Sequence, residues 1–168
     1  VLQRGPQGAF DFGGLSGPFV FEVKDHPPRA NREDELNAAE LPRGRPRGSL
    51  AMIYVAFPGL GYETRPGRQG LAWSNDGIHW KRSPANPIRD IGEKGSWDDS
   101  CLYKPFVMHQ KGRYWMFYNA YGTADQCEQM GLATAERLEG PWERHPANPI
   151  LRKGDPDKDR DHRIIGDP

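Results

Sequence analysis

Short runs of apolar, aromatic and β-branched residues alternate with turn-prone polar segments along most of the chain. The clearest series lies between Trp97 and Trp142, where LYKPFVM, YWMFYNAY and QMGLATA are separated by HQKGR and GTADQ, and a fourth run starts at Trp142. Runs of this length and composition, bounded by turn residues, are typical of β-strands. The pattern predicts four consecutive strands connected as a meander.

The same order of elements occurs earlier in the chain, at an offset of 61 to 62 residues over its longest match. There QGLAWSNDGIHWKRSPANPIRD at 69–90 aligns with MGLATAERLEGPWERHPANPILRK at 130–153. Upstream, MIYVA at 52–56 aligns with MFYNA at 116–120, and GPFV at 17–20 aligns with KPFV at 104–107. A repeating four-stranded unit is the signature of propeller blades. The sequence therefore predicts an all-β fold, a β-propeller.

The repeat also sets the expected boundaries. Blade one covers about residues 10–90, blade two about 96–153, and a third blade begins at 161–168 with the sequence DHRIIGDP. The smallest closed propellers need about four blades. We therefore expect residues 1–168 to be the N-terminal part of a single propeller domain in a longer protein, and the fragment alone to be inactive. Trp80, Trp115, Tyr118 and Trp142 are predicted to pack between blades.

The two blades differ in their first hairpin. Val20 and Met52 are 32 residues apart, whereas Val107 and Met116 are 9 apart, which leaves about 23 extra residues in blade one. The insertion, at about 24–48, is polar and bounded by prolines, so it is predicted to lie on the surface. It is either a solvated loop or a lid or partner-binding arm.

Composition narrows the class of protein. Lys and Arg total 23 and Asp and Glu total 23, so the net charge is zero, which argues against general binding to nucleic acid or anionic membranes. No run of 18 apolar residues is present, and 20 glycines and 16 prolines suit many tight turns. Two cysteines, Cys101 and Cys127, are too few for a disulfide framework, and a single disulfide between them is one alternative. Neither cysteine has a second Cys or His at the spacing of a zinc site. Because the chain starts at Val1 with no signal-peptide pattern, the true start is expected to be missing and the compartment cannot be read.

Candidate chemistry lies where the first strands of the blades begin, because those strands line the propeller axis and converge at one end. An aspartate precedes the aligned proline of each unit by seven residues, at Asp11, Asp98 and Asp161, and Asp99 adjoins the second. Carboxylates from different blades that face one pocket would repel each other, which would shift their pKa values apart. One group could then act as a general acid and another as a general base. The alternative is that these aspartates cap loops by accepting backbone N–H bonds.

Asp167 departs from the repeat, because the equivalent positions hold Gly17 and Lys104. A functional position is expected to break the pattern of its fold, so Asp167 is the first catalytic candidate, followed by Asp98 and Asp99. Predicted substrate-binding residues are Asp11, Trp97, Lys104, Asn119 and Arg163. Glu63 and Glu128 are either further acids or solvated turn residues. No metal or cofactor is required.

The segments SWDDSCLYKPFVMHQKGRYWMFYNAYG, QMGLATAERLEGPWERHPANPIL and IIGDP together resemble the five-bladed β-propeller glycosidases over about residues 10–168. These include the arabinanase and xylosidase, invertase and levansucrase, and mannoside phosphorylase groups. The resemblance implies carboxylates at the axis that cleave a glycosidic bond through an oxocarbenium-like transition state. It also implies an acid from a later blade, outside this chain. The sequence departs from the common pattern, because the aspartate that usually precedes the proline in the first blade is Gly17 here, and the second blade has Lys104 at the equivalent position. Asp11 or Asp98 would then have to serve as the base.

Three functions follow from these observations. The leading hypothesis is a glycosidase that hydrolyses an oligo- or polysaccharide. The second is a glycoside phosphorylase of the same fold, for which His162 and Arg163 beside Asp167 would bind phosphate. The third is a propeller that binds carbohydrate without cutting it, and fold alone does not decide among them.

Overall fold

A computed structural model of the chain describes residues 2–23, 50–61 and 63–154. All regular secondary structure in these ranges is β-strand. The first four strands are β1 (Gly14–Glu22), β2 (Leu50–Phe57), β3 (Arg68–Ser74) and β4 (Lys81–Arg82). The next four are β5 (Cys101–Gln110), β6 (Arg113–Tyr121), β7 (Gln129–Ala135) and β8 (Glu143–Arg144).

The strands form two four-stranded sheets, in the orders β1-β2-β3-β4 and β5-β6-β7-β8. All pairs within both sheets are antiparallel. The predicted all-β propeller fold is therefore confirmed, with one meander sheet for each copy of the repeat. The insertion at 24–48 and the predicted start of a third blade at 161–168 lie outside the described residues. Among those residues, no helix has the length and hydropathy needed to cross a membrane.

The two sheets share a hydrophobic core. One cluster joins Ile53 and Leu71 of blade one to Val107 and Met116 of blade two, and all four side chains are buried. Trp142 packs against this cluster and against a second one around Tyr118. Burying such side chains contributes roughly 1.5 to 3 kcal/mol each. The apolar side chains on one face of each sheet therefore pack against those of the neighbouring blade.

Close backbone packing completes the contact between blades. The Gly67 amide and carbonyl groups bond to the carbonyl of Ser100 and the amide of Leu102, at 3.3 and 3.0 Å. A Cβ atom on Gly67 would lie 1.9 Å from the Cys101 sulfur, so only glycine fits there. Both cysteines are free thiols.

The repeated Pro-Ala-Asn-Pro-Ile segment has the same role in each blade. The Asn86 side chain accepts the Leu71 amide at 2.7 Å and donates to the Leu71 carbonyl at 2.9 Å. Asn148 makes the same two bonds to Leu132, each at 2.9 Å. The asparagines therefore extend the hydrogen bonding of the third strands beyond the two-residue fourth strands.

Candidate functional site

The first strands of the two blades lie side by side, as strands at a propeller axis do. The rings of Phe19 in β1 and Phe106 in β5 are 5.0 Å apart. Both strands have an irregularity in register just before these rings. At the irregularities, Gly17 and Lys104 have φ values of 51° and 41°, in the left-handed region. Because a side chain is strained in this conformation, a lysine at that position is unusual.

Lys104 belongs to a polar cluster at the end where the first strands begin. Its ammonium lies 3.8 Å from the Glu128 carboxylate, and the side chains of Lys104 and Glu128 are 42% and 19% exposed. The Asn119 side chain is fully buried and donates to the same Glu128 oxygen at 3.0 Å. The structure therefore brings together two predicted binding residues and a glutamate, all from blade two.

A second group of side chains at this end joins the two blades. The Tyr103 hydroxyl donates to the Glu63 carboxylate at 2.9 Å and lies 3.1 Å from the Tyr121 hydroxyl. The Arg65 guanidinium lies over the Tyr121 ring, 5.1 Å from its centroid. Glu63 and Arg65 come from the loop between β2 and β3, whereas both tyrosines come from blade two. The loop of blade one is thereby tied to the first strand of blade two.

Burial raises the pKa values of two groups here. Desolvation, together with hydrogen bonds from neighbouring side chains, raises the pKa of Tyr103 well above its ordinary value. Burial also raises the pKa of the Cys101 thiol to about 11. Both groups are therefore neutral at pH 7, and Cys101 is not an activated nucleophile.

Asp11 and Asp98 have equivalent partners within their blades. The Asp98 carboxylate accepts Arg144 Nε at 2.9 Å and the Tyr118 hydroxyl at 3.3 Å, and its side chain is 2% exposed. In blade one, Asp11 accepts Arg82 Nε at 2.6 Å. Each carboxylate therefore ties the segment before the first strand to the fourth strand. This geometry favours the structural alternative for both residues.

Asp99 holds a loop. It accepts the Thr123 amide at 2.5 Å and the Thr123 hydroxyl at 3.0 Å, and it accepts the Gly95 amide at 2.6 Å. These bonds lower the pKa of the carboxyl group, with the Gly95 bond as the largest cause. Thr123 lies in the loop between β6 and β7, which ends at Glu128. Asp99 therefore contributes to the site through the position of that loop.

Trp97 packs on its own blade. Its ring stacks on Tyr118 with centroids 5.8 Å apart, and a Cβ on Gly131 would lie 2.8 Å from it. This is the packing expected of a blade aromatic residue rather than of an open sugar platform. Asp161, Arg163 and Asp167 lie outside the described residues. Within the ranges that the structure covers, no group of three His, Cys, Asp or Glu side chains is arranged to hold a metal ion.

Sequence reasoning did not select Tyr103, Tyr121 or Arg65, and it left Glu128 between two interpretations. One signal was available for Glu128. The repeat aligns Gly131 with Gly70, which places Glu128 opposite Gly67. Blade one therefore has a glycine at both positions, Gly17 and Gly67, whereas blade two has the charged residues Lys104 and Glu128. Glu128 departs from the repeat in the same way as Lys104 does.

Solved structures that superpose on these two meander blades identify the fold. Zg3597, a family 117 glycoside hydrolase from the marine bacterium Zobellia galactanivorans, superposes with a TM-score of 0.66 at 18% identity over 90% of this chain. A thermostable family-43 glycoside hydrolase superposes with a TM-score of 0.54 at 21% identity over 84% of this chain. The fold is that of the propeller glycoside hydrolases.

The family follows from the sequence model of glycosyl hydrolases family 43, which matches residues 69–164. The chain therefore belongs to this family. A third structure, described as a glycoside hydrolase, is 28% identical over 67% of this chain, with a TM-score of 0.55. No curated protein matches the chain in sequence. The chain spans 37%, 40% and 36% of the Zg3597, family-43 and third structures, respectively.

Proposed function

We propose that the protein containing this chain is a glycosidase that hydrolyses O-glycosidic bonds of an oligo- or polysaccharide. The observation that carries the proposal is the cluster of Lys104, Asn119 and Glu128 at the start of the first strands, in a chain of glycosyl hydrolases family 43. Its ammonium and carboxylate groups are a donor and an acceptor of the kind that bind sugar hydroxyl groups.

The roles of the site residues divide accordingly. Lys104 binds substrate, in line with its predicted role, whereas the fully buried Asn119, also predicted to bind substrate, instead holds the Glu128 carboxylate through its side-chain amide. Asp167 remains the first catalytic candidate, on the argument that it breaks the repeat, and Arg163 a candidate for binding. Asp11, Asp98 and Asp99 hold the blades and the β6–β7 loop in place, because their carboxylates are engaged by neighbouring groups.

The test uses the full-length protein that contains this chain. Release of 4-nitrophenol from a panel of 4-nitrophenyl glycosides is measured with and without inorganic phosphate, for the wild type and Asp167→Asn. We expect release without phosphate and its loss in Asp167→Asn. Asp76→Asn, an exposed aspartate in the turn after β3, is the matched control and keeps wild-type activity.

Each other result changes the proposal in a defined way. Release that requires phosphate would replace hydrolysis with phosphorolysis. Sugar binding without any release, measured by calorimetry, would replace the enzyme with a carbohydrate-binding propeller. Full activity in Asp167→Asn would remove Asp167 from the catalytic residues.

A further inference from the structure

We propose that Glu63 is a catalytic carboxylate contributed by blade one, and that it acts as the general base on the water molecule that attacks the glycosidic bond. The inference rests on the proposed function and assigns a further catalytic residue to it. It also decides against the alternative in which Glu63 is only a solvated turn residue.

Four other carboxylates at this end of the blades are already bound by strong donors. Asp11 and Asp98 each accept an arginine Nε. Asp99 accepts two backbone amides and a hydroxyl, and Glu128 accepts a side-chain amide beside an ammonium group. Cations and hydrogen bonds that stabilise the charged form of a carboxylate make it a weaker base. These four groups are therefore poorly suited to removing a proton from water.

Glu63 has a different environment. The Tyr103 hydroxyl donates to its Oε2 at 2.9 Å, and the raised pKa of Tyr103 keeps this phenol protonated and neutral. Glu63 is partly exposed, so water can reach it. A carboxylate has about four acceptor sites, and one bond from Tyr103 leaves sites for a water molecule. Tyr103 therefore orients the carboxylate without neutralising its charge.

The loop that carries Glu63 is held by its neighbours. The Thr64 hydroxyl accepts the Gly59 amide at 3.0 Å and donates to the Gly59 carbonyl at 2.5 Å. Gly13, just before β1, packs on the same loop, since a Cβ there would lie 1.6 Å from the Gly59 carbonyl oxygen. A catalytic group must be held close to its productive geometry by the groups around it. The loop meets this requirement.

The backbone and the length of this loop also set it apart. Glu63 has a φ value of 46°, in the left-handed region, and such strained residues cluster at functional sites. The loop between β2 and β3 has ten residues, 58–67, whereas the loop between β6 and β7 has seven, 122–128. Because β2 ends opposite the start of β1, the longer loop lies at the end where the first strands begin. Insertions in single repeats often lie on the binding face.

The step assigned to Glu63 is a proton transfer. Its carboxylate takes a proton from water while the water oxygen bonds to the anomeric carbon. The bond from that carbon to the leaving oxygen breaks, and the leaving oxygen takes a proton from a carboxylic acid of the same site, for which Asp167 is the candidate. Proton exchange with solvent then restores both groups.

The experiment uses the full-length protein and the 4-nitrophenyl glycoside that the wild type cleaves fastest. General base catalysis contributes about 10²- to 10⁴-fold, so kcat should fall by that factor in Glu63→Gln and Glu63→Ala, with little change in KM. The acid limb of the pH profile of kcat should be lost in Glu63→Gln. Sodium azide, a nucleophile that needs no base, should restore release in Glu63→Ala and yield a glycosyl azide.

The matched control is Glu22→Gln. Glu22 is an exposed glutamate of the same blade, and it pairs with Leu50 at the opposite end of the sheet. This variant should keep the wild-type kcat and KM. Thermal unfolding of all three variants separates loss of catalysis from loss of fold.

Two results would overturn the inference while the proposed function stands. One is a wild-type kcat in folded Glu63→Gln. The other is a folded Glu63→Ala whose lost activity is not restored by azide. If the wild type released 4-nitrophenol from none of the glycosides, with or without phosphate, the proposed function and the inference would both be contradicted.

Discussion

Asp98 and Arg144 form an ion pair that links the segment before the first strand of blade two to its last strand. The carboxylate is buried and lies 2.9 Å from Arg144 Nε, and the arginine side chain is 38% exposed. Arg144 also donates to the Asp90 carbonyl in the connection between the blades, at 2.6 Å. Asp11 and Arg82 form the equivalent pair in blade one. A pair that recurs with the blade belongs to the architecture of the blade.

The first prediction tests this structural role. Asp98→Asn removes the charge that faces Arg144, and because the arginine is 38% exposed, loss of this charged hydrogen bond should cost about 1.5 to 3 kcal/mol. We expect a lower thermal midpoint of the full-length protein and an unchanged kcat per folded molecule. Asp11→Asn should behave in the same way. A loss of kcat by a hundredfold at unchanged thermal stability would instead make Asp98 a catalytic residue.

The second prediction concerns the packing of the two blades at Gly67. In Gly67→Ala the new methyl would overlap the Cys101 sulfur and lie 3.2 Å from the Phe57 ring. Overpacking of this kind costs about 1 to 3 kcal/mol or more. Chemical denaturation should show this loss, whereas Gly14→Ala, where the added Cβ has no neighbour within 4 Å, should be nearly neutral.

A double variant checks the cause of that loss. Cys101→Ala removes the overlapping sulfur, so Gly67→Ala should cost less in its presence than alone. Additive effects of the two substitutions would show that the sulfur is not the source of the clash.

The third prediction separates stability from function at Lys104. Lys104→Gly places at this left-handed position the residue that blade one has at Gly17. Glycine relieves backbone strain in the folded state, but it also gives the unfolded chain more conformations to lose on folding. These effects oppose each other, so the free energy of unfolding should be unchanged or higher by about 1 kcal/mol. Activity should fall, because the ammonium is lost from the site. Strong destabilisation would mean that the lysine side chain serves the fold.

The fourth prediction concerns acid stability. Hydrogen bonds from Gly95 and Thr123 lower the pKa of Asp99 in the folded state. The unfolded chain, with an aspartate pKa of about 3.9, takes up the proton first as the pH falls. This contribution to stability is therefore complete above about pH 4 and is lost as the pH falls through the lowered pKa of Asp99.

Thermal midpoints measured between pH 7 and pH 2.5 test this effect. Asp99→Asn should be less stable than the wild type at pH 7, and the difference should shrink below pH 4. A difference that grows in acid would contradict the assignment.

The sequence predicted the strands well, because each run of apolar residues occurs twice in the same order. The predicted strand QMGLATA coincides with β7, and the others differ only at their ends. The short β8 begins at Glu143, one residue after Trp142, where the fourth run was predicted to start.

The site was predicted only in part. Lys104 and Asn119 were selected as binding residues and lie in the polar cluster, whereas Asp98 and Asp99, selected as catalytic candidates, bond to partners that were not selected. Their partners, Arg144 and Thr123, lie 46 and 24 residues further along the chain. Such pairings depend on how the strands twist and on where the loops return, which the periodicity of a single sequence does not specify. One signal for these pairs was present in the sequence: an arginine recurs at equivalent positions, Arg82 and Arg144, as the aspartates do.

The same Asp–Arg pair forms across 71 residues in blade one and across 46 in blade two. Most of the difference is the long segment in the first hairpin of blade one. Since the entropy of closing a loop grows only with the logarithm of its length, each doubling adds only about 0.6 kcal/mol. Because the Asp–Arg pair joins the segment before the first strand to the fourth strand, a blade should tolerate an inserted peptide in its first hairpin. The turn between β5 and β6 is therefore a natural place to graft a binding loop, an affinity tag or a protease site onto this protein.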